Sequence, residues 1–260
     1  MTDELTTGPQ VTGPLSWGAA SDIGKVREEN QDAFAAEPEA GLFLVIDGMG
    51  GHRGGQVAAK MIAQDLPPVI ELAIDRLRRR SPRAIRRTLK RVIAKQNRHV
   101  HREGDSESGY VGMGATLVVL LLLGDRAYAA NVGDSRIYRW RAGRLRQLSV
   151  DHSVISELLE AGHITSDEVE THDALGVVTQ YMGCPEGVEP SVRSLALAPG
   201  DRFLLCSDGL TDLVDDIRMG AILAGETEPQ AAAEKLVAAA NDAGGHDNIT
   251  AIVVHWKGRV

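Results

Sequence analysis

The sequence predicts an α+β fold built on an antiparallel β-sandwich with helices packed outside it. Strand-like runs cluster at 116–123, 126–131 and 136–140, joined by the turn pairs Gly124, Asp125 and Gly133, Asp134, a spacing that fits hairpins. Two helical stretches precede that block, and strands and helices mix after it, so the regular βαβ alternation of a parallel sheet is missing. The 260-residue chain is 43% hydrophobic but only 4% aromatic, so Val, Ile, Leu and Ala have to fill its core.

Each element has its own signal. Residues 1–14, rich in Thr, Gly and Pro, read as a flexible lead-in to one domain over 15–260, without linker or repeat. The run 41–46 (GLFLVI) ends at Asp47 and Gly48, a buried strand entering a tight turn. Val57, Met61 and Ile62 predict a helix over 56–66, which Pro67 and Pro68 are expected to interrupt. A second helix opens with Ser81 as N-cap and Pro82 at its first position, and Ile85, Leu89, Val92, Ile93, Gln96 and Val100 form its inner stripe. Residues 153–172 read as helical, with Thr165 capping towards Glu168. Strands are expected at 193–197, 202–206 and 249–256, and an Ala-rich helix at 229–242.

Charge and cysteine content narrow the class. Net charge is −8, yet 76–102 holds 12 Lys or Arg and no Asp or Glu, leaving 16 basic against 36 acidic residues, or −20, elsewhere. This run is either a solvated helix face or a docking surface over 81–102 for an acidic or phosphorylated partner; without interleaved aromatics it does not suit nucleic acid. The longest apolar run, 117–123, is far short of the ~18 residues of a membrane span, and the N-terminus lacks a secretory signal. Cys184 and Cys206 fit neither a disulfide framework nor a zinc site. A soluble, cytoplasmic, monomeric protein is expected.

The chemistry concentrates in aspartates at the ends of apolar strands. Asp47 follows LFLVI, Asp134 follows AYAANVG, Asp208 follows RFLLCS, and Asp247 precedes NITAIVV. A carboxylate in such a place is costly unless paired or bound to a cation. Each of these aspartates alone reads as a turn residue. Four on one rim suit hard divalent cations, Mg²⁺ or Mn²⁺ rather than Zn²⁺, since no His or Cys cluster competes.

These residues also carry a resemblance. Ser21 to Gly24 (SDIG), Arg27, Asn30, Gln31 and Asp32, the DGMGGH of 47–52, GMGAT at 112–116, NVGDSR at 131–136, DHS at 151–153, SDGL at 207–210 and DNIT at 247–250 resemble, in order, the motifs of bacterial 2C-type metal-dependent Ser/Thr protein phosphatases. The resemblance implies a four-layer α/β/β/α fold, a central antiparallel sandwich flanked by pairs of helices. It implies a binuclear Mn²⁺ or Mg²⁺ centre that activates a bridging water for in-line attack on a phosphoserine or phosphothreonine monoester, without a covalent intermediate. By motif position, Asp47 would bridge the metals and the Gly48 carbonyl would bind one of them. Asp208 and Asp247 would complete the first site and Asp32 would hold the second. Asp134 with Asp208 matches a third site, and Arg27 matches the arginine that grips the substrate phosphate. Partners would be phosphorylated proteins, among them Ser/Thr kinases and their substrates.

The chain departs from its relatives in places. Met49 stands where eukaryotic members have His, so a general acid is absent there, with His52 as a weak substitute. Gln31 replaces a common Glu whose carboxylate contacts the second metal through water. His172 and Asp173 replace a His-Pro pair in the flap expected at 153–179. Ser207 lacks a base partner in any triad pattern, against a serine hydrolase. A non-catalytic phosphoprotein-binding module and a hydrolase of small phosphorylated molecules are the competing readings. Intact Arg27, Asp32, Asp47, Asp208 and Asp247 speak against the first.

Overall fold

The computed structural model describes residues 7–49, 54–106 and 110–258, of which 7–12 and Glu170 are described by their backbone. Side-chain alternation in its strands sets the layers. In β4 (Leu42–Ile46) and β7 (Leu117–Leu123), Leu42, Leu44, Ile46, Leu117, Val119 and Leu121 point to one side, and Phe43, Val45, Val118, Leu120 and Leu122 to the other. Both sides are buried, which is why these strands read as unbroken apolar runs. With β3 (Ala33–Glu37), β8 (Arg126–Val132) and β11 (Ser191–Ala196) they form an antiparallel sheet in the order β11-β8-β7-β4-β3.

A six-stranded sheet packs against it. Its strands, in spatial order, are β1 (Thr7–Thr12), β2 (Leu15–Asp22), β13 (Ile249–Trp256), β12 (Asp201–Cys206), β9 (Arg136–Arg141) and β10 (Arg144–Gln147). Trp17, Phe203, Leu205, Ile252 and Val254 meet Phe43, Val118 and Leu120 in the space between the sheets. The few aromatics are used where they fill most volume: Trp17 and Phe43 lie with ring centroids 5.8 Å apart at a tilted angle.

Helices close both outer faces. α1 (Gly54–Asp75) and α2 (Pro82–Gly104) cover the five-stranded sheet, and the inner stripe expected for α2 is buried there. After the short α3 (Val154–Glu160) and α4 (Asp208–Thr211), α5 (Asp216–Gly225) and α6 (Pro229–Asp242) cover the six-stranded sheet, with Met219, Leu223, Ala233 and Leu236 against Leu204, Cys206, Ala251 and Val253. The layers are therefore α/β/β/α.

Three expectations change. α1 runs through Pro67 and Pro68 rather than stopping at 66. Two missing N–H donors are tolerated because Ala58, Ala59, Ile62, Leu66, Pro67, Ile70 and Ile74 form one buried stripe, and packing outweighs the local cost. The lead-in is not wholly flexible: 7–12 form β1, paired with β2 through Thr12↔Leu15 and Val11↔Ser16, while 1–6 lie outside the described residues. Without β1, the backbone groups on that side of β2 would be an open sheet edge. The helix expected over 153–172 breaks after Glu160; Gly162 turns the chain at a φ of +71°, and Ser166–Thr171 forms a separate 3₁₀ turn.

Candidate active site

Antiparallel order places the C-terminal ends of β4, β8 and β12 beside the N-terminal ends of β3, β7, β9 and β13, at one end of the sandwich. Every candidate carboxylate belongs to that end. Asp47 follows β4, Asp134 lies between β8 and β9, Asp208 opens α4 after β12, Asp247 precedes β13, and Asp32 precedes β3. A cleft of about 580 Å³ opens there, and Arg27, Asp47, Gly48, Asp134, Asp208 and Asp247 line it. Asp32 does not line the cleft; its Oδ2 accepts the Ser207 hydroxyl at 2.8 Å.

Local structure explains how each group is held. Gly48 belongs to β5 (Gly48–Met49), paired with β6 (Gly114–Ala115). A Cβ at Gly48 would lie 2.4 Å from the Gly55 carbonyl oxygen and 2.6 Å from that of Gln31, so only glycine lets these three segments meet. Asp47 is tied at its backbone, its carbonyl accepting from Thr116 N–H at 2.8 Å, and the Thr116 and Ser135 hydroxyls are 2.6 Å apart. The Gly133 N–H donates to His152 Nδ1 at 3.3 Å, fixing the turn that presents Asp134. Arg27 Nη2 donates to Asp247 Oδ2 at 2.6 Å.

The electrostatics are those of crowded carboxylates. Burial, with help from Asp208 and Asp247, pushes Asp32 up to about 7 against the pull of the Ser207 and Thr250 hydrogen bonds. Asp134 is likewise pushed up to about 7, by burial and then by Asp208. Burial raises both Asp47 and Asp208; repulsion from Asp208 and Asp32 takes Asp47 well above the ordinary carboxylate range, and repulsion from Asp247 adds to the rise at Asp208. Among the described lining residues Arg27 alone is basic.

The donor set fits a hard divalent cation. Oδ1 of Asp32, of Asp134 and of Asp208 are buried without a hydrogen-bond partner, an arrangement that is expensive unless a cation takes the lone pairs. Among the described residues no three acidic, His or Cys side chains already form a closed donor cluster. The fit therefore rests on the orphaned oxygens and the mutual repulsion.

Several contributors were not singled out from sequence. Asn248 is the buckle of the site: its Nδ2 donates to the carbonyls of Ile23 and Glu29, both at 3.0 Å, and its Oδ1 accepts from Gln31 N–H at 2.8 Å. This holds the segment bearing Arg27 and leading to Asp32. Asp212, raised to about 6 by burial and by Asp208, lines a neighbouring groove of about 760 Å³ together with Asp134 and Asp208. Nothing local distinguishes Asp212 from a helix-end aspartate. Gly176 and Val178, in the segment expected to form a flap, line the cleft, and the Ser153↔Val178 bridge joins the two ends of that segment. Met49 lines the cleft, while His52 lies outside the described residues.

With this geometry in view, the likenesses to known proteins are consistent. Residues 25–240 match the family model described as protein phosphatase 2C. The chain is 35% identical over 238 residues to protein phosphatase PhpP of Streptococcus pneumoniae, spanning 90% of this chain and 94% of PhpP. It superposes on the serine/threonine phosphatase of S. agalactiae with a TM-score of 0.82 at 34% identity, over 93% of this chain and 99% of that one. The catalytic domain of the serine/threonine protein phosphatase PstP, solved in complex with 2 manganese ions, gives a TM-score of 0.79 at 32% identity over 93% of this chain and 97% of that one. The chain belongs to the protein phosphatase 2C family, as a protein serine/threonine phosphatase of the bacterial, metal-dependent type.

Proposed function

We propose that the chain hydrolyses phosphoserine and phosphothreonine monoesters of proteins, the products of Ser/Thr kinases, at this cleft. Asp47, Asp208, Asp247 and the Gly48 carbonyl would hold Mn²⁺ or Mg²⁺, with Asp32 at a second position and Asp134 with Asp208 at a third. Bound there, such cations would supply acidification of a water near neutral pH and positive charge beside the phosphate. Arg27 supplies a planar fork for two phosphate oxygens once its bond to Asp247 is exchanged. Met49 has no proton to give, so it excludes water on its side of the cleft and takes no part in proton transfer. Ser207 is occupied, donating to Asp32 and accepting from Thr250 N–H at 3.0 Å, which favours direct attack by water over a seryl intermediate.

The observation that carries this reading is the set of orphaned buried oxygens on Asp32, Asp134 and Asp208 beside a single arginine. The test is hydrolysis of a phosphothreonine peptide by the wild type and by Asp208→Asn, with Mn²⁺ supplied or chelated. Turnover that needs both the metal and Asp208 supports it. Phosphopeptide binding without turnover under any metal would make the chain a recognition module.

A further inference from the structure

We infer that the outer face of α2 is a docking surface for an acidic segment of the protein substrate. This extends the phosphatase reading to how a phosphoprotein is recruited. Arg83, Arg86, Arg87, Lys90, Arg91, Lys95, Arg98 and Arg102 are all exposed on α2, whose opposite face is buried against the five-stranded sheet. Within the helix no acidic residue occurs before Glu103. The pairs 83/87, 86/90, 87/91, 91/95 and 98/102 stand four residues apart, so like charges face each other along its length. Such pairs destabilise a helix, where an ordinary solvated face alternates sign and gains from it. Among the described residues, Lys90 finds the Glu189 carboxylate at 3.7 Å, an exposed contact that leaves most of the face uncompensated.

The face is also placed for recruitment. α2 has 23 residues, about 34 Å of helix, and runs from Ser81 towards the cleft end of the molecule. At that end the Asn97 side chain donates to Cys184 O and accepts from Gly183 N–H, and Met182 pairs with Ala115 beside Gly48. A segment lying along the cations therefore leads to the cleft rim. Because the chain outside 76–102 carries a net −20, this basic run stands against an otherwise acidic molecule, which gives the attraction of an acidic partner a direction. A protein segment is favoured over nucleic acid because the exposed positions of α2 carry no aromatic residue on which bases could stack.

The test uses a fluorescent Glu- and Asp-rich peptide, followed by anisotropy against the wild type and an Arg83→Glu, Arg86→Glu, Arg87→Glu variant. All three positions are exposed; Arg83 lies in the first turn, where a carboxylate suits the dipole, and carboxylates at 86 and 87 would face Lys90 and Arg91 four residues on, so folding is retained. Binding is expected to weaken about tenfold or more in the variant and to fade in wild type as salt rises from about 50 to about 500 mM. A phosphothreonine peptide bearing that acidic tract should be turned over faster than one bearing a Gly/Ser tract by wild type, slower by the variant, with p-nitrophenyl phosphate hydrolysis equal in both. An acidic tract that slows the wild type, as a net charge of −8 alone would make it do, overturns the inference. So does tighter binding of duplex DNA or of phosphatidylserine vesicles than of the acidic peptide. Loss of turnover on all substrates would count against the phosphatase reading instead, and anisotropy would still decide the docking.

Discussion

Arg27 and Asp247, 220 residues apart in sequence, form an ion pair of 2.6 Å across the mouth of the cleft. The loops that carry them are laced together around it. Lys25 N–H donates to the Gly245 carbonyl at 2.7 Å, and a Cβ on Gly24, whose φ is +80°, would lie 2.3 Å from the Asp247 carbonyl. The proposed phosphate-binding group and a proposed metal ligand thus satisfy each other, and a cation or a phosphate arriving there would compete for the same pair.

Replacing Arg27 with Ala separates those roles. The loss of two charge-assisted hydrogen bonds should raise KM for a phosphopeptide roughly tenfold to a hundredfold. Mn²⁺ affinity, measured by calorimetry, should hold or rise because Asp247 loses its competitor. An unchanged KM would remove Arg27 from phosphate binding.

Metal binding should register as stability. At about a hundredfold excess over Kd, a ligand of the folded state adds about 2.7 kcal/mol, equivalent to a rise in Tm of roughly 5–10 °C for a chain this long. Asp208→Asn should lose most of that rise. Without metal it should melt above the wild type, because a buried charge that is repelled by Asp247 and that repels Asp47 has been removed. A metal-free variant that melts lower would deny the repulsion.

Asn248→Ala removes three hydrogen bonds that fasten 23–31 to the head of β13. A cost of about 2–4 kcal/mol is expected in urea unfolding, with KM rising more than kcat falls as Arg27 loses its support. Intact stability would show the bonds to be replaceable by water.

Acid sensitivity has a contributor far from the cleft. His255 is buried on β13, and burial with Arg202 and Lys257 pushes it down to about 4. In the unfolded chain the imidazole takes its proton near pH 6.5. The unfolded state therefore binds more protons between about 6.5 and 4, so stability falls as pH drops through that window and the full cost is reached below about 4. His255→Gln, with metal chelated, should recover about 1 kcal/mol at pH 5 relative to pH 7.5, allowing for partial solvent access. Equal slopes for variant and wild type would exclude it.

Pro68 is exposed in the interior of α1 and contributes no buried stripe. Pro68→Ala restores a backbone N–H to the helix and should stabilise the protein by about 1 kcal/mol or more, the gain being reduced by a freer unfolded chain. Destabilisation would mean that a proline is needed at this point for α1 to follow the sheet.

What the sequence by itself determined is whatever is written within a dozen neighbouring residues. LFLVI followed by Asp47, the Ser81 and Pro82 start of α2, the 229–242 helix and the aspartates at strand ends are of this kind, because burial of an element's own face and the chemistry of its ends leave a local pattern. β2 escaped that reading. Its LSWGAASD is short of large apolar residues because α6 lies against it, with a Cβ at Gly18 only 2.3 Å from Gln230 Cα, and Ala19 bonding the Gln230 side chain through both its N–H and its carbonyl. Tertiary structure alone carried α1 through two prolines, set Asp32 against Ser207, joined Arg27 to Asp247 and placed Asp212 beside Asp208. Each depends on strands distant in the chain ending at the same rim, and the free energy that decides it comes from closing the sandwich rather than from any one segment.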